Sequence, residues 1–354
     1  KNPDQEMKQM PLVPAICTQC GARLNVDSSS DAAICKYCGT PFVVEKAVNL
    51  YSVSANNVYI IGGASEYEII AGTLKNYKGS SVNVTVPPEA KVLQSAVFSG
   101  MRALESATLP KSVTTLESMA FLACTKLKSV SLPDTITEIG EKCFSSCQSL
   151  PSVVWPKSCK TIKYQTFSDC QKLSQVKLQP GLEQIQSEAF MNCFSLKSIA
   201  IPDTVSELGV NLFKNCKSLE SVKLPAGLQT IPIGFFYGCE SLKSIELPSS
   251  LTCIESMAFQ NSGLESVDLQ CGVKVKPNAF YGCASLQNVH LAKDVDLDPD
   301  YVLHRFDNSL RLIDAPFRNC KSLQNVRWDK WVKRVDFYFF DPEARINKRG
   351  IPFF

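Results

Sequence analysis

Apolar residues recur along this chain with a period far longer than that of a helix or a strand. Phenylalanines stand at 98, 121, 144, 167, 190, 213, 236 and 259, always 23 residues apart, and continue less regularly at 280 and 317. Three residues after most of them comes a cysteine, at 124, 147, 170, 193, 216, 239, 283 and 320, with Met101 and Ser262 as exceptions. Leucine follows at the sixth position (Leu104, Leu127, Leu150, Leu173, Leu196, Leu219, Leu242), then mostly Val or Ile at the ninth, usually Leu at the eleventh, and often Pro. The segment LxSVxLP alternates apolar and polar residues, the pattern of a short half-buried strand closed by a proline that cannot donate the next ladder bond. The pattern therefore predicts one strand per repeat. Apolar pairs such as Ile136 and Ile139, or Val205 and Leu208, should point inward on the return path, and Ala120, Ala189 and Ala258 before Phe should permit close packing. A single coil cannot cover its own apolar interior, so coils must stack at about 4.8 Å per strand, and ten or so would span roughly 50 Å.

Outside the regular period the chain reads as caps and modules. Val84, Val86 and Pro87 match the strand and its proline, which makes residues 67–95 an N-terminal cap within a solenoid spanning 67–335. Phe280 and Phe317 lie 37 apart, so an insertion is expected near 292–316, carrying Tyr301, His304, Arg305 and Phe306. It reads as a longer capping coil in preference to a binding loop. The aromatic run DKWVKRVDFYFF from Asp329 should cover the last coil's edge, followed by a tail at 336–354.

The first residues change the picture. Residues 1–15 read as a flexible tail, 16–47 as a separate module and 48–66 as a connector. Within the module, CTQC and CKYC, each followed by Gly, enclose fourteen residues and set Cys17, Cys20, Cys35 and Cys38 as two CxxC pairs. Two such knuckles, each followed by a glycine that frees the backbone to bend, supply a closed tetrathiolate shell for one structural Zn ion. Disulfides would demand an oxidising compartment, and a redox pair would need a strand and helix around it that the sequence does not suggest. The flanks read as strands at Ala22–Val26 and Pro41–Val44, joined by the turn-rich DSSSD stretch. The module resembles the zinc ribbons found at the front of many bacterial proteins. Its Arg23, Lys36 and Lys46 are matched by Asp27, Asp31 and Glu45, so nucleic-acid binding through it is only an alternative.

The repeats resemble the BspA-type leucine-rich repeat family over about residues 67–330. The resemblance implies a right-handed parallel solenoid of about ten 23-residue coils, built mainly of short β-strands and preceded here by the zinc ribbon. For function it implies adhesion or protein recognition on bacterial or protozoan surfaces, and no reaction.

Composition excludes more than it suggests. The net charge of +3 over 354 residues gives no field to gather nucleic acid or an anionic membrane. No apolar run is long enough to span a bilayer, and KNPDQEMKQM lacks the apolar core of a signal sequence. The expectation is a cytoplasmic protein without membrane insertion, or a surface or secreted one if a segment upstream of Lys1 carried a signal. Two histidines and no nucleophile elbow, phosphate loop or HExxH pair argue against an enzyme. Eight cysteines sharing one slot read as core, and Cys143, Cys159, Cys253 and Cys271 as at or near inward positions. What remains is a non-catalytic scaffold that binds a protein or peptide through the strand face, with a host-surface adhesin for protein or carbohydrate as the alternative. Its exposed positions lie seven, eight and ten after Phe. Serine fills the middle column, and Lys177, Lys197, Lys223 and Glu246 are the candidate partner-binding residues.

Overall fold

The computed structural model describes residues 66–297 and 315–329, together with the backbone of strands at 12–16, 23–27, 32–34, 41–43, 301–303 and 310–312. The chain divides into two compact units, Lys1–Ala71 and Gly72–Phe354. In the first unit Leu12–Ile16 pairs antiparallel with Arg23–Asp27, Leu12 opposite Asp27 and Ile16 opposite Arg23. Ala32–Ile34 pairs likewise with Pro41–Val43. The strand at Leu12–Ile16 begins inside the segment read as a tail.

The second unit is a parallel β-solenoid of about ten turns, and most turns have two strands rather than the one expected. The longer strand follows the leucine: Ser106–Thr108, Ser129–Ser131, Ser152–Val154, Gln175–Lys177, Ser198–Ala200 and Ser221–Lys223, then Ser266–Leu269, Asn288–Leu291 and Asn325–Trp328. The shorter is a two-residue return strand such as Thr115–Leu116, in parallel register with Glu138–Ile139, or Thr161–Ile162, in parallel register with Gln184–Ile185. Two residues are too few to show alternation, which is why the return path reads as coil in sequence. The expected inward residues Ile136, Ile139 and Val205 are buried.

One sheet break has a clear chemical origin. The residue seven after Phe donates its N–H to the equivalent carbonyl of the preceding coil, as Lys128 does to Glu105 and Glu220 to Lys197. In the coil of Phe144 that residue is Pro151, which has no N–H, and the sheet ending at Ser129–Ser131 restarts at Ser152–Val154.

The third side of each turn, around Phe, is also laddered from coil to coil. Ala96, Phe98 and Gly100 donate N–H groups to Ser118, Ala120 and Leu122 at 3.0, 2.9 and 2.7 Å. It is not a strand, because the residues two before and two after Phe take positive φ, among them Met119 (61°), Ala123 (57°), Glu188 (60°) and Asn192 (59°). Gly238 (φ 67°) takes the same slot, where a Cβ would come within 2.6 Å of Asn215 Oδ1.

Inside, the phenylalanines are fully buried and form one stack. Successive ring centroids from Phe98 to Phe317 lie between 4.9 and 5.7 Å apart. Tyr77 closes the first end, 5.4 Å from Phe98 and tilted by 57°. At the other end Phe317 stacks on Phe280 at 4.9 Å, and Asn325–Trp328 pairs in register with Asn288–Leu291. The insertion therefore leaves the stack unbroken. Its start is ordinary coil, since Asp296–Leu297 pairs with Lys274–Val275, and within it Tyr301–Leu303 pairs antiparallel with Leu310–Leu312. His304, Arg305, Phe306 and the run from Lys330 onward lie outside the described residues.

Candidate interaction face

The cysteine slot was expected as inert core; it also has a bonding role. Each thiol donates to the carbonyl of the phenylalanine in the coil before it: Cys124 to Phe98 at 3.1 Å, Cys147 to Phe121 at 3.2 Å, Cys170 to Phe144 at 3.1 Å. The series continues through Cys193, Cys216, Cys239, Cys283 and Cys320. A buried carbonyl with spare acceptor capacity gains a donor in each of these turns, and the small polarisable sulfur fits beside the ring stack. The exceptions carry the signal that sequence reading passed over. Met101 has no phenylalanine 26 residues before it to accept a bond, and Ser262 keeps a hydroxyl, 3.3 Å from Cys283 Sγ.

Burial pushes the Cys124 thiol up to about 12, and Cys147, Cys170, Cys193, Cys216 and Cys239 are raised by the same desolvation. Such thiols hold almost no thiolate near neutral pH and so lack nucleophilic character. Cys143 and Cys159 are buried as expected, whereas Cys271 is exposed. It falls in the turn after Ser266–Leu269, before Gly272, where the chain has left the core.

The strand face is exposed along its length. Lys177, Lys197, Lys223 and Glu246 all point to solvent on it. Lys223 Nζ lies 3.7 Å from Asp203, while Lys177, Lys197 and Glu246 make no ion pair among the described residues. Other charges of the face pair between adjacent coils: Lys128 with Glu105 at 2.9 Å, Lys217 with Glu240 at 3.0 Å and Lys243 with Glu265 at 3.1 Å. The Lys128 ammonium holds the Glu105 carboxyl below the usual carboxylate range. His290 sits between Asp268 (2.8 Å) and Asp329 (3.5 Å), a contact that sequence spacing hides because the insertion separates the last two coils. Val154 is the largest apolar exposure on the face, at 55%.

The return strands carry a shallow hollow of about 350 Å³ lined by Tyr164, Gln184, Gln186, Ser187, Glu207 and Gly209. Its polar groups satisfy one another: Gln184 donates to Glu207, Gln186 Nε2 donates to Gln184 Oε1 at 3.3 Å, and Gln186 Oε1 accepts from the Tyr164 N–H. Among the described residues no group of three or more His, Cys, Asp or Glu is arranged to hold a metal, and no helix is long and apolar enough to cross a membrane. Cys17, Cys20, Cys35 and Cys38 lie outside the described residues.

No curated protein sequence matches the chain. Among solved structures it is similar to a leucine-rich repeat protein from Bacteroides ovatus, with 25% identity, a TM-score of 0.53, and 74% of this chain covering 69% of that one. It is also similar to the leucine-rich repeat protein of T. pallidum, at 27% identity and TM-score 0.39, covering 53% of this chain and 80% of that one. A leucine-rich cell surface protein from Faecalibacterium prausnitzii aligns at 18% identity and TM-score 0.33, covering 77% of this chain and 96% of that one. The BspA type leucine-rich repeat region matches in 6 copies, across residues 91–220 and 206–315. With well over half of its length matched, and with the stacked coils described above, the chain belongs to the BspA-type leucine-rich repeat family.

Proposed function

We propose that this protein is a non-catalytic scaffold that binds a protein or peptide partner along the strand face of its solenoid. One observation carries the reading. Buried Phe, Leu and Cys columns fix the backbone from coil to coil, while the residues between them, Ser129, Ser131, Gln175, Lys177, Ser198, Ser221, Lys223, Ser266 and Asp268 among them, are exposed and vary in charge. A rigid backbone with variable side chains loses little entropy on binding and can specify a partner by its charge pattern. Mixed signs suit a protein better than a polyanion or a bilayer surface. Capture of the partner from a lysate of the source organism, followed by affinity measurement with Lys177→Glu, Lys197→Glu, Lys223→Glu and Glu246→Lys variants, tests the reading.

The first unit enters the same proposal as a structural module. Cys17, Cys20, Cys35 and Cys38 would hold one Zn ion, which supplies folding energy and no open coordination position. Support comes from the strands on either side. The segments joining Leu12–Ile16 to Arg23–Asp27 and Ala32–Ile34 to Pro41–Val43 each carry one CxxCG. A zinc-stabilised hairpin pair needs that arrangement, because thirty residues have too small a core to fold alone.

A further inference from the structure

The charges of the strand face are sorted by coil. In the coils of Phe167 and Phe190, the exposed charges following the cysteine are Lys172, Lys177 and Lys197, with no carboxylate in the strand-side stretches Gln171–Gln179 and Phe194–Ala200. Among the described residues none of these lysines has an ion-pair partner. In the coils of Phe236 and Phe259 the balance reverses: Glu240, Glu246, Glu265 and Asp268 are exposed against Lys243 alone. The coil of Phe213 lies between them with Lys217, Glu220 and Lys223, and is mixed. The centres of the two zones are about three coils apart, or about 15 Å at the spacing of adjacent strands. That exceeds the screening length of about 8 Å at physiological ionic strength, so the zones do not neutralise each other and present separate fields to an incoming molecule.

We infer that the strand face takes one extended protein segment bearing an acidic block and a basic block, the acidic block over Lys172, Lys177 and Lys197 and the basic block over Glu246, Glu265 and Asp268. This rests on the strand-face reading above and adds the partner's chemistry to it. The spacing sets the segment's design: about 15 Å is about five extended residues between block centres. A nucleic acid does not fit, because a uniform polyanion drawn to the lysines meets the carboxylates three coils on. Val154, exposed beside Lys177 in the neighbouring strand, gives the acidic block an apolar contact as well.

The full chain tests this with two labelled synthetic peptides of identical composition. One has a glutamate run and a lysine run joined by about five Gly and Ser residues; the other alternates Glu and Lys. Anisotropy titration should show the block peptide binding at least about 10-fold tighter. The triple variants Lys172→Glu/Lys177→Glu/Lys197→Glu and Glu246→Lys/Glu265→Lys/Asp268→Lys should each lose that preference, with far-UV melting unchanged. Exchanging all six should restore it, since the block peptide then docks in the opposite direction. Equal binding of the two peptides overturns the proposal. If a captured partner still responds to Lys177, Lys197 and Glu246, the strand-face reading survives that result. A block preference indifferent to both triple variants removes both readings. Self-association that is lost in each triple variant and regained when the two are mixed would make a second copy the occupant, and would overturn the segment assignment.

Discussion

Phe190→Ala tests the claim that a ring stack holds the coils together. Phe190 is fully buried, with Phe167 5.6 Å on one side and Phe213 5.7 Å on the other, both nearly parallel to it. Truncation withdraws roughly 100 Å² of buried apolar surface, about 2.5 kcal/mol at about 25 cal/mol per Å². The neighbouring rings are held by their own backbone ladders, with Phe167 N–H bonded to Ala189 and Phe213 N–H to Phe235. They can collapse only in part, and a residual cavity of about 80 Å³ adds about 2 kcal/mol. The expected loss is therefore about 4 kcal/mol, within the roughly 3 to 5 kcal/mol range for buried Phe→Ala changes. Denaturant unfolding followed by far-UV circular dichroism reads it as a lower midpoint. Phe98→Ala at the first end should lose less, because Tyr77 there is tilted by 57° and can follow the gap. A loss below about 1 kcal/mol at Phe190 would mean that the ladders alone carry the stack, and the packing argument would be wrong.

Other outcomes follow from the same geometry. Because burial raises Cys124, Cys147, Cys170, Cys193, Cys216 and Cys239 above their unfolded value, the folded state keeps protons that the unfolded chain releases; stability is whole below about pH 8.5 and falls as pH rises from there toward the raised value of about 12 at Cys124. Each buried thiol steepens the loss by up to about 1.4 kcal/mol per pH unit, and thermal melts between pH 8 and 11 should show it; a flat profile would refute it. Thiol titration in denaturant without reductant should find the cysteines of the slot reduced, and regular pairing of Cys147 with Cys170 or Cys193 with Cys216 would contradict this. Met119→Gly should stabilise by about 0.5 to 1 kcal/mol, since an exposed side chain at φ 61° gains nothing from its Cβ, and a destabilised variant would show that Met119 packs usefully. Elemental analysis should return one zinc per chain, with chelation leaving the solenoid melt in place; a metal-free protein with a folded first unit would end the zinc proposal.

Much of this architecture is legible in the chain because a solenoid writes its geometry into its period. The 23-residue spacing of Phe and the strand ended by proline translate directly into stacked coils, and the exposed strand positions follow from alternation. Three features do not. The return strands are too short to alternate. The positive-φ positions two before Phe are filled by residues as different as Met119, Lys142, Gln165 and Glu188, so no consistent glycine or asparagine signature marks them, whereas those two after Phe include Gly100, Asn192, Asn215, Gly238, Asn261, Gly282 and Asn319. The thiol donor role was hidden because burial alone accounts for a cysteine column, and only Met101, at the end where no preceding phenylalanine exists, points past burial to bonding. The charge zones depend on which residues share a coil neighbourhood, and His290 reaches Asp329 only because the insertion leaves the stack.

The most direct test of the strand-face account is the affinity of a captured partner for the chain with Lys177, Lys197, Lys223 and Glu246 reversed together, beside a deletion of residues 298–314. Each reversal leaves the buried columns untouched and should cost less than about 0.5 kcal/mol of stability. The account predicts that binding falls at least about 10-fold in the reversed chain and holds in the deletion. Unchanged affinity in the reversed chain, with binding lost on deleting the insertion or the first unit, would contradict it.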